Sequence, residues 1–161
     1  MKPVLITKSG NDKLLCEVIS CLLDIDCTRY FRNHIGMSQV NQRIVVNSFQ
    51  ELTVSRLGSS FGNIEWIKEY SASQSKRDSI DIFGKGDGLS VIIELDKFRA
   101  DQVAKKFVSR MALVSIKRTY YISLCYPGTR YMNRTECEKY FQYCSILAQR
   151  MGTFYAGMII T

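Results

Sequence analysis

The chain has 161 residues, 46% of them hydrophobic and 11% aromatic, which suffices for one core and, at roughly 100 to 200 residues per domain, for a single domain over 1–161. Its 22 lysines and arginines outnumber 15 acids, and the resulting charge of +7 suits a polyanionic partner such as nucleic acid. The six cysteines form no CxxC pair and accompany one histidine, against a zinc site and for reduced packing thiols. MKPVLITKSG lacks the apolar core of a secretory signal, and no run approaches the ~18 apolar residues of a membrane span. A soluble, cytoplasmic protein with no membrane partner is expected.

In chain order, Asp12 is placed to cap a helix whose apolar positions Leu14, Leu15, Val18, Ile19, Leu22 and Leu23 follow three-and-four spacing. DIDCTRYFRNHIG reads as an exposed connection or short irregular segment, with His34 a loop or partly buried residue. Ser38 precedes a second helix, about 39 to 57, with the stripe Val40, Ile44, Val45, Phe49 and Leu52, Glu51 at its margin and Gly58 at its end. The period then changes to two. NIEWIKEY (63 to 70), SIDIFG and LSVIIELD read as strands, and SASQSKR as a polar loop offering Lys76 and Arg77 to a phosphate backbone.

Arg99 to Leu113 is helical again, with Ala100, Val103, Ala104, Phe107, Val108 and Met111 on one side and Gln102, Lys106 and Arg110 four apart on another. YYISLCY (120 to 126) is a strand stopped by Pro127 and Gly128, Asn133 caps a last helix to about Arg150, and TFYAGMIIT is a terminal strand after Gly152. The order is helix, helix, three strands, helix, strand, helix, strand, an α/β fold with a mixed central sheet flanked by helices.

The stretch RDSIDIFGKGDGLSVIIELDKFRADQ concentrates acid in a basic chain. A hairpin with Gly86 and Asp87 at its centre sets Asp81 opposite Ile92 and Ser79 opposite Glu94. Alternation then projects Asp81, Glu94 and Asp96 from one face and Ile80, Ile82, Val91, Ile93 and Leu95 from the other. Adjacent carboxylates repel unless protonated, paired with a cation or bound to a metal, and hard oxygen donors suit Mg²⁺ or Mn²⁺. FGKGDG lacks the spacing of a phosphate-binding P-loop and precedes a strand, so it is a turn.

Asp81, a hairpin, then Glu94-Leu95-Asp96 and a helix resembles the PD-(D/E)xK nuclease superfamily, the restriction-endonuclease-like fold. The order helix, three strands, helix, strand over about residues 39 to 126 is similar to that family's core, with the last helix and strand as additions. The resemblance implies that Asp81 and Glu94 hold the divalent metal with the backbone carbonyl of Leu95, and that Glu51 is a supporting acid. Two positions depart from the pattern: Ile80 replaces the motif proline, and Asp96 stands where lysine is usual. Lys97 follows at a pleat position that points away, whereas Lys105 or Lys106 on the next helix is placed to reach round.

The expected function is a metal-dependent DNA endonuclease, with a restriction-type role among its options, acting on duplex DNA with Mg²⁺ or Mn²⁺, and a homodimer is one form open to it. Asp81 and Glu94 would be ligands, Asp96 a third acid orienting or deprotonating water, and Gln102 or Lys106 a stabiliser of the phosphate. The alternative is a catalytically silent member of the same fold, acting as a DNA-binding or protein-interaction module.

Overall fold

The computed structural model describes residues 1–72, 79–97, 100–114, 116, 118–128 and 133–161. Lys76, Arg77 and Arg99 lie outside the described residues. Caps at three helices act where the sequence puts them. Asp12 accepts from the Leu15 amide ahead of α1 (Lys13–Leu23), Ser38 from Asn41 ahead of α3 (Gln39–Ser60), and Asn133 from Glu136 ahead of α5 (Arg134–Arg150).

The three consecutive strands after α3 are β2 (Glu65–Ser71), β3 (Ser79–Gly86) and β4 (Leu89–Asp96), followed by α4 (Ala100–Leu113), β5 (Arg118–Cys125) and, after α5, β6 (Phe154–Ile160). An additional strand, β1 (Pro3–Lys8), pairs antiparallel with β6. It is a half-exposed edge beginning at a proline. The described strands form one mixed sheet ordered β1-β6-β5-β4-β3-β2, parallel along β4-β5-β6 and antiparallel elsewhere.

Helices cover both faces of the sheet. On one, Ile82, Val91, Ile93, Leu95, Tyr120 and Ile122 pack with Leu15, Val18 and Leu22 of α1 and Phe49 and Leu57 of α3. On the other, Phe83, Ile92, Tyr121 and Tyr155 pack with Val103 and Phe107 of α4 and Phe141 and Ala148 of α5. Gly157 lets α5 lie flush on β6, because a Cβ there would stand 2.3 Å from the Phe141 ring.

Two expectations are corrected here. The segment after α1 is not an exposed connection: it forms the short helix α2 (Thr28–Phe31) and a single 3₁₀ turn, and it buries Ile25, Cys27, Tyr30, Phe31 and His34. His34 is fully enclosed, edge-on to Phe31 and Tyr126 at centroid distances of 5.6 and 5.3 Å. Burial and the nearby Lys97 charge hold its imidazole below the usual value. The stripe on α3 is the second correction. Val40 is 69% and Ile44 58% exposed, Gly58 does not end the helix, and the buried row is Phe49, Gln50, Thr53 and Leu57. A helix of 22 residues spans roughly 33 Å and a strand of 8 about 26 Å, so the first turns of α3 have no sheet beneath them.

Candidate active site

The β3–β4 hairpin turns at Asp87 and Gly88, where the positive φ of 65° requires glycine, one residue beyond the expected centre. The register therefore slips by two, which preserves the parity and brings Asp81 level with Glu94 instead of Ile92. The regular ladder stops at Ile82↔Ile93, and beyond it the Leu95 amide donates to Asp81 Oδ2 at 2.7 Å. Alternation breaks there. Ile80, expected beside Ile82, packs with the α4–α5 side instead. On the neighbouring strand Glu69, skipped between the pairs Lys68↔Ile82 and Tyr70↔Ile80, adopts a left-handed φ of 52°. Left-handed backbone away from glycine costs on the order of 1–2 kcal/mol and concentrates at sites whose geometry is over-determined.

This irregularity opens the end of β4 between α3 and α4. Lys106 enters from α4: its Nζ lies 3.3 Å from Asp81 Oδ2 and 3.0 Å from Glu94 Oε2, and donates to the Leu95 carbonyl at 2.7 Å. Two carboxylates and one peptide oxygen thus converge on a single cationic atom. Arg110, one turn further along α4, donates through Nε to Glu94 Oε1 at 2.7 Å and through Nη2 to the Ser79 carbonyl at 3.0 Å. From the opposite side Gln50 of α3 donates to Asp81 Oδ1 at 3.2 Å and to Glu69 Oε1 at 2.9 Å. Every oxygen of Asp81 is engaged, and Glu94 is gripped at both ends.

Burial and the neighbouring Asp81 push the Glu94 carboxyl up to about 8, against the pull of Lys106 and Arg110. Burial also opposes the charge on Lys106, but Asp81, Glu94 and Asp96 outweigh it and raise the ammonium above its usual value.

Asp96, also buried, lies on the Lys106 side. With Leu95, Lys97, Gln102, Lys106 and Tyr126 it lines a cavity of about 200 Å³. Gln102 is therefore at the site, while Lys105 is exposed. Lys97 turns to the α3 side, as a position two beyond Leu95 should, and reaches Gln42 at 3.3 Å. The strand ends at Asp96, however, and from there the side chain borders both this cavity and the groove along α3. Glu51 stands on the exposed side of α3, bound to Lys68 at 2.8 Å and Asn47 at 3.1 Å, so the α3 residue touching Asp81 is its neighbour Gln50. A larger groove of about 630 Å³ runs along α3, walled by Gln42, Arg43, Asn47, Lys97 and Tyr126, with Asp81, Gln50 and Glu69 also lining it.

Gln50 and Arg110 carry a signal that the apolar stripes obscured. Gln50 lies on the row Val46, Gln50, Thr53, Leu57, and Arg110 on the row Val103, Phe107, Arg110, Val114. A long polar side chain inside a core row has to reach a buried partner.

Among the described residues no three carboxylate, imidazole or thiol side chains are grouped to hold a metal ion. The candidate cation position rests on two carboxylates and a carbonyl. No helix among them is long and apolar enough to cross a membrane. The chain matches no family model, no curated protein and no solved structure.

Proposed function

We propose that the protein is a divalent-metal-dependent DNA endonuclease that hydrolyses phosphodiester bonds in the manner of the PD-(D/E)xK superfamily. The observation that carries this reading is the convergence of Asp81 Oδ2, Glu94 Oε2 and the Leu95 carbonyl on one point, now taken by Lys106 Nζ. Hard oxygen donors of this kind suit Mg²⁺ or Mn²⁺, which commonly take one or two protein carboxylates and complete their shell with water and substrate oxygens. The element order α3-β2-β3-β4-α4-β5 agrees with the core the resemblance implies.

In this reading Asp81, Glu94 and the Leu95 carbonyl would hold the ion, which would supply Lewis-acid polarisation of the phosphodiester and a water of lowered pKa. Gln50 and the Leu95 amide fix the Asp81 carboxylate, and Arg110 holds Glu94 through Oε1, leaving Oε2 directed at the position Lys106 Nζ now takes. Lys106 and Gln102 face the cavity where a phosphate oxygen would gain charge, and Asp96 lies beside them to orient or accept a proton from the attacking water. Arg43 and Lys97 give the groove its positive charge for duplex DNA.

A second reading has its own observation. Two carboxyl groups face two cations, Lys106 and Arg110, so each acid already has a partner in the protein, as in a silent DNA-binding or protein-interaction module. Incubation with supercoiled plasmid over graded Mg²⁺ and Mn²⁺, with an EDTA control, separates the two. Nicking that requires metal and is lost in Asp81→Asn and Glu94→Gln supports the nuclease. Tight, salt-sensitive binding with no nicking at any metal concentration supports the module.

A further inference from the structure

Lys106 stands where the proposed metal would stand, and this leads to an inference that rests on the metal-site reading above. Three oxygens from two strands meet its Nζ at 2.7 to 3.3 Å. A divalent ion cannot take the same oxygens while the ammonium stays, since both like charge and volume forbid it. The lysine therefore has to leave, and the described residues beside it offer a destination. The roughly 200 Å³ cavity beside it is lined by Asp96 and Gln102 as well as by Lys106 itself. The Lys106 side chain retains 28% exposure, against 9% for Arg110, so it has room to turn whereas the arginine is packed in place. Asp96 shares the Glu94 face of β4, two residues on, and borders the same cavity as Lys106.

We propose that Lys106 is a two-position lysine: it fills the cation position when metal is absent and moves to Asp96 when metal binds. Asp96, the acid at the motif position usually held by lysine, is then the receiver that keeps the displaced ammonium inside the site. Metal affinity is set by this internal competition. If the position is filled by lysine in about 90 to 99% of metal-free molecules, apparent affinity is reduced about 10- to 100-fold. The arrangement also removes the repulsion between Asp81 and Glu94 before metal arrives.

The test is Mn²⁺ binding by the full chain, read by calorimetry and by the electron paramagnetic resonance signal of free Mn²⁺, with no activity measurement. Lys106→Met is expected to bind Mn²⁺ about 10- to 100-fold more tightly than the parent, while Lys105→Met, which removes the same charge from an exposed position, leaves affinity unchanged. Lys106→Gln, which keeps a donor for the Leu95 carbonyl, should tighten binding in the same direction and serves if the methionine variant does not fold. Asp96→Asn should weaken binding in the parent but not in the Lys106→Met background, because only a displaced lysine needs a receiver. Equal affinities for parent and both Lys106 variants, or an equal effect of Asp96→Asn in both backgrounds, overturn the two-position lysine and leave the metal site standing. If Mn²⁺ binds none of these proteins, or binds Asp81→Asn as well as the parent, the metal site itself is wrong and the inference falls with it.

Discussion

Glu94 has a cation at each oxygen yet is only 2% exposed, and burial together with Asp81 raises its carboxyl to about 8. The consequence for stability has a definite sign. An unfolded glutamate titrates near 4.5, so between that value and about 8 the folded chain holds the proton more tightly. This contribution is complete below about 4.5 and is lost as the pH rises through about 8. The Tm of the parent should therefore fall from about pH 5 to pH 8.5 relative to that of Glu94→Gln, whose amide does not titrate. Parallel curves for the two proteins would show that the carboxyl does not carry the effect. Arg110 is the companion case. Arg110→Met deletes bonds to Glu94 Oε1 and to the Ser79 carbonyl, and should cost about 3 kcal/mol in urea unfolding, because the Glu94 carboxyl left behind is buried. Adding Glu94→Gln should restore part of that loss, and strict additivity of the two changes would mean that they do not interact.

At the scale of elements, α3 divides into a half that packs and a half that overhangs. Phe49 is fully buried between Tyr30 and Phe31, with ring centroids at 5.4 and 5.0 Å, and Phe49→Ala should cost about 3–5 kcal/mol. Val40→Ser and Ile44→Ser, at 69% and 58% exposure, should stay within about 0.5 kcal/mol of the parent. Chemical denaturation of the three variants measures the contrast, and comparable losses at Val40 and Phe49 would mean that the overhang is covered. The same helix explains what the sequence does and does not disclose. Caps and periodicity reveal where α1, α3 and α5 begin, since these depend on neighbours in the chain. Which part of an apolar stripe meets a sheet depends on relative length and placement, so Val40 and Ile44 read as core although they are not. The acidic face of β3 and β4 is legible because parity survives a two-residue slip of register. Gln50 and Arg110 are less so, for their roles exist only once α3 and α4 close on Asp81 from opposite sides, and the bend at Asp81 and Glu69 has no local signature at all.

For the molecule as a whole the question is whether its +7 charge acts through the groove or is spread without purpose. The sequence sets Gln102, Lys106 and Arg110 along one side of α4, but in the fold Lys106 and Arg110 turn inward against acids and are occupied. The groove along α3 offers other cations. Arg43 is exposed on its wall and Lys97 reaches across it to Gln42. If duplex DNA lies there, log K should fall linearly with log salt with a slope of about −0.9 for each phosphate neutralised. Arg43→Glu should then weaken binding alike across unrelated sequences and make the slope shallower by about 1. Asp81→Asn in the same groove should leave binding intact or tighten it, since it removes negative charge that faces the phosphates. Fluorescence anisotropy with a short duplex over a salt series measures both. A slope that Arg43→Glu does not change would move the contact to another surface and separate the acidic cluster from the nucleic acid.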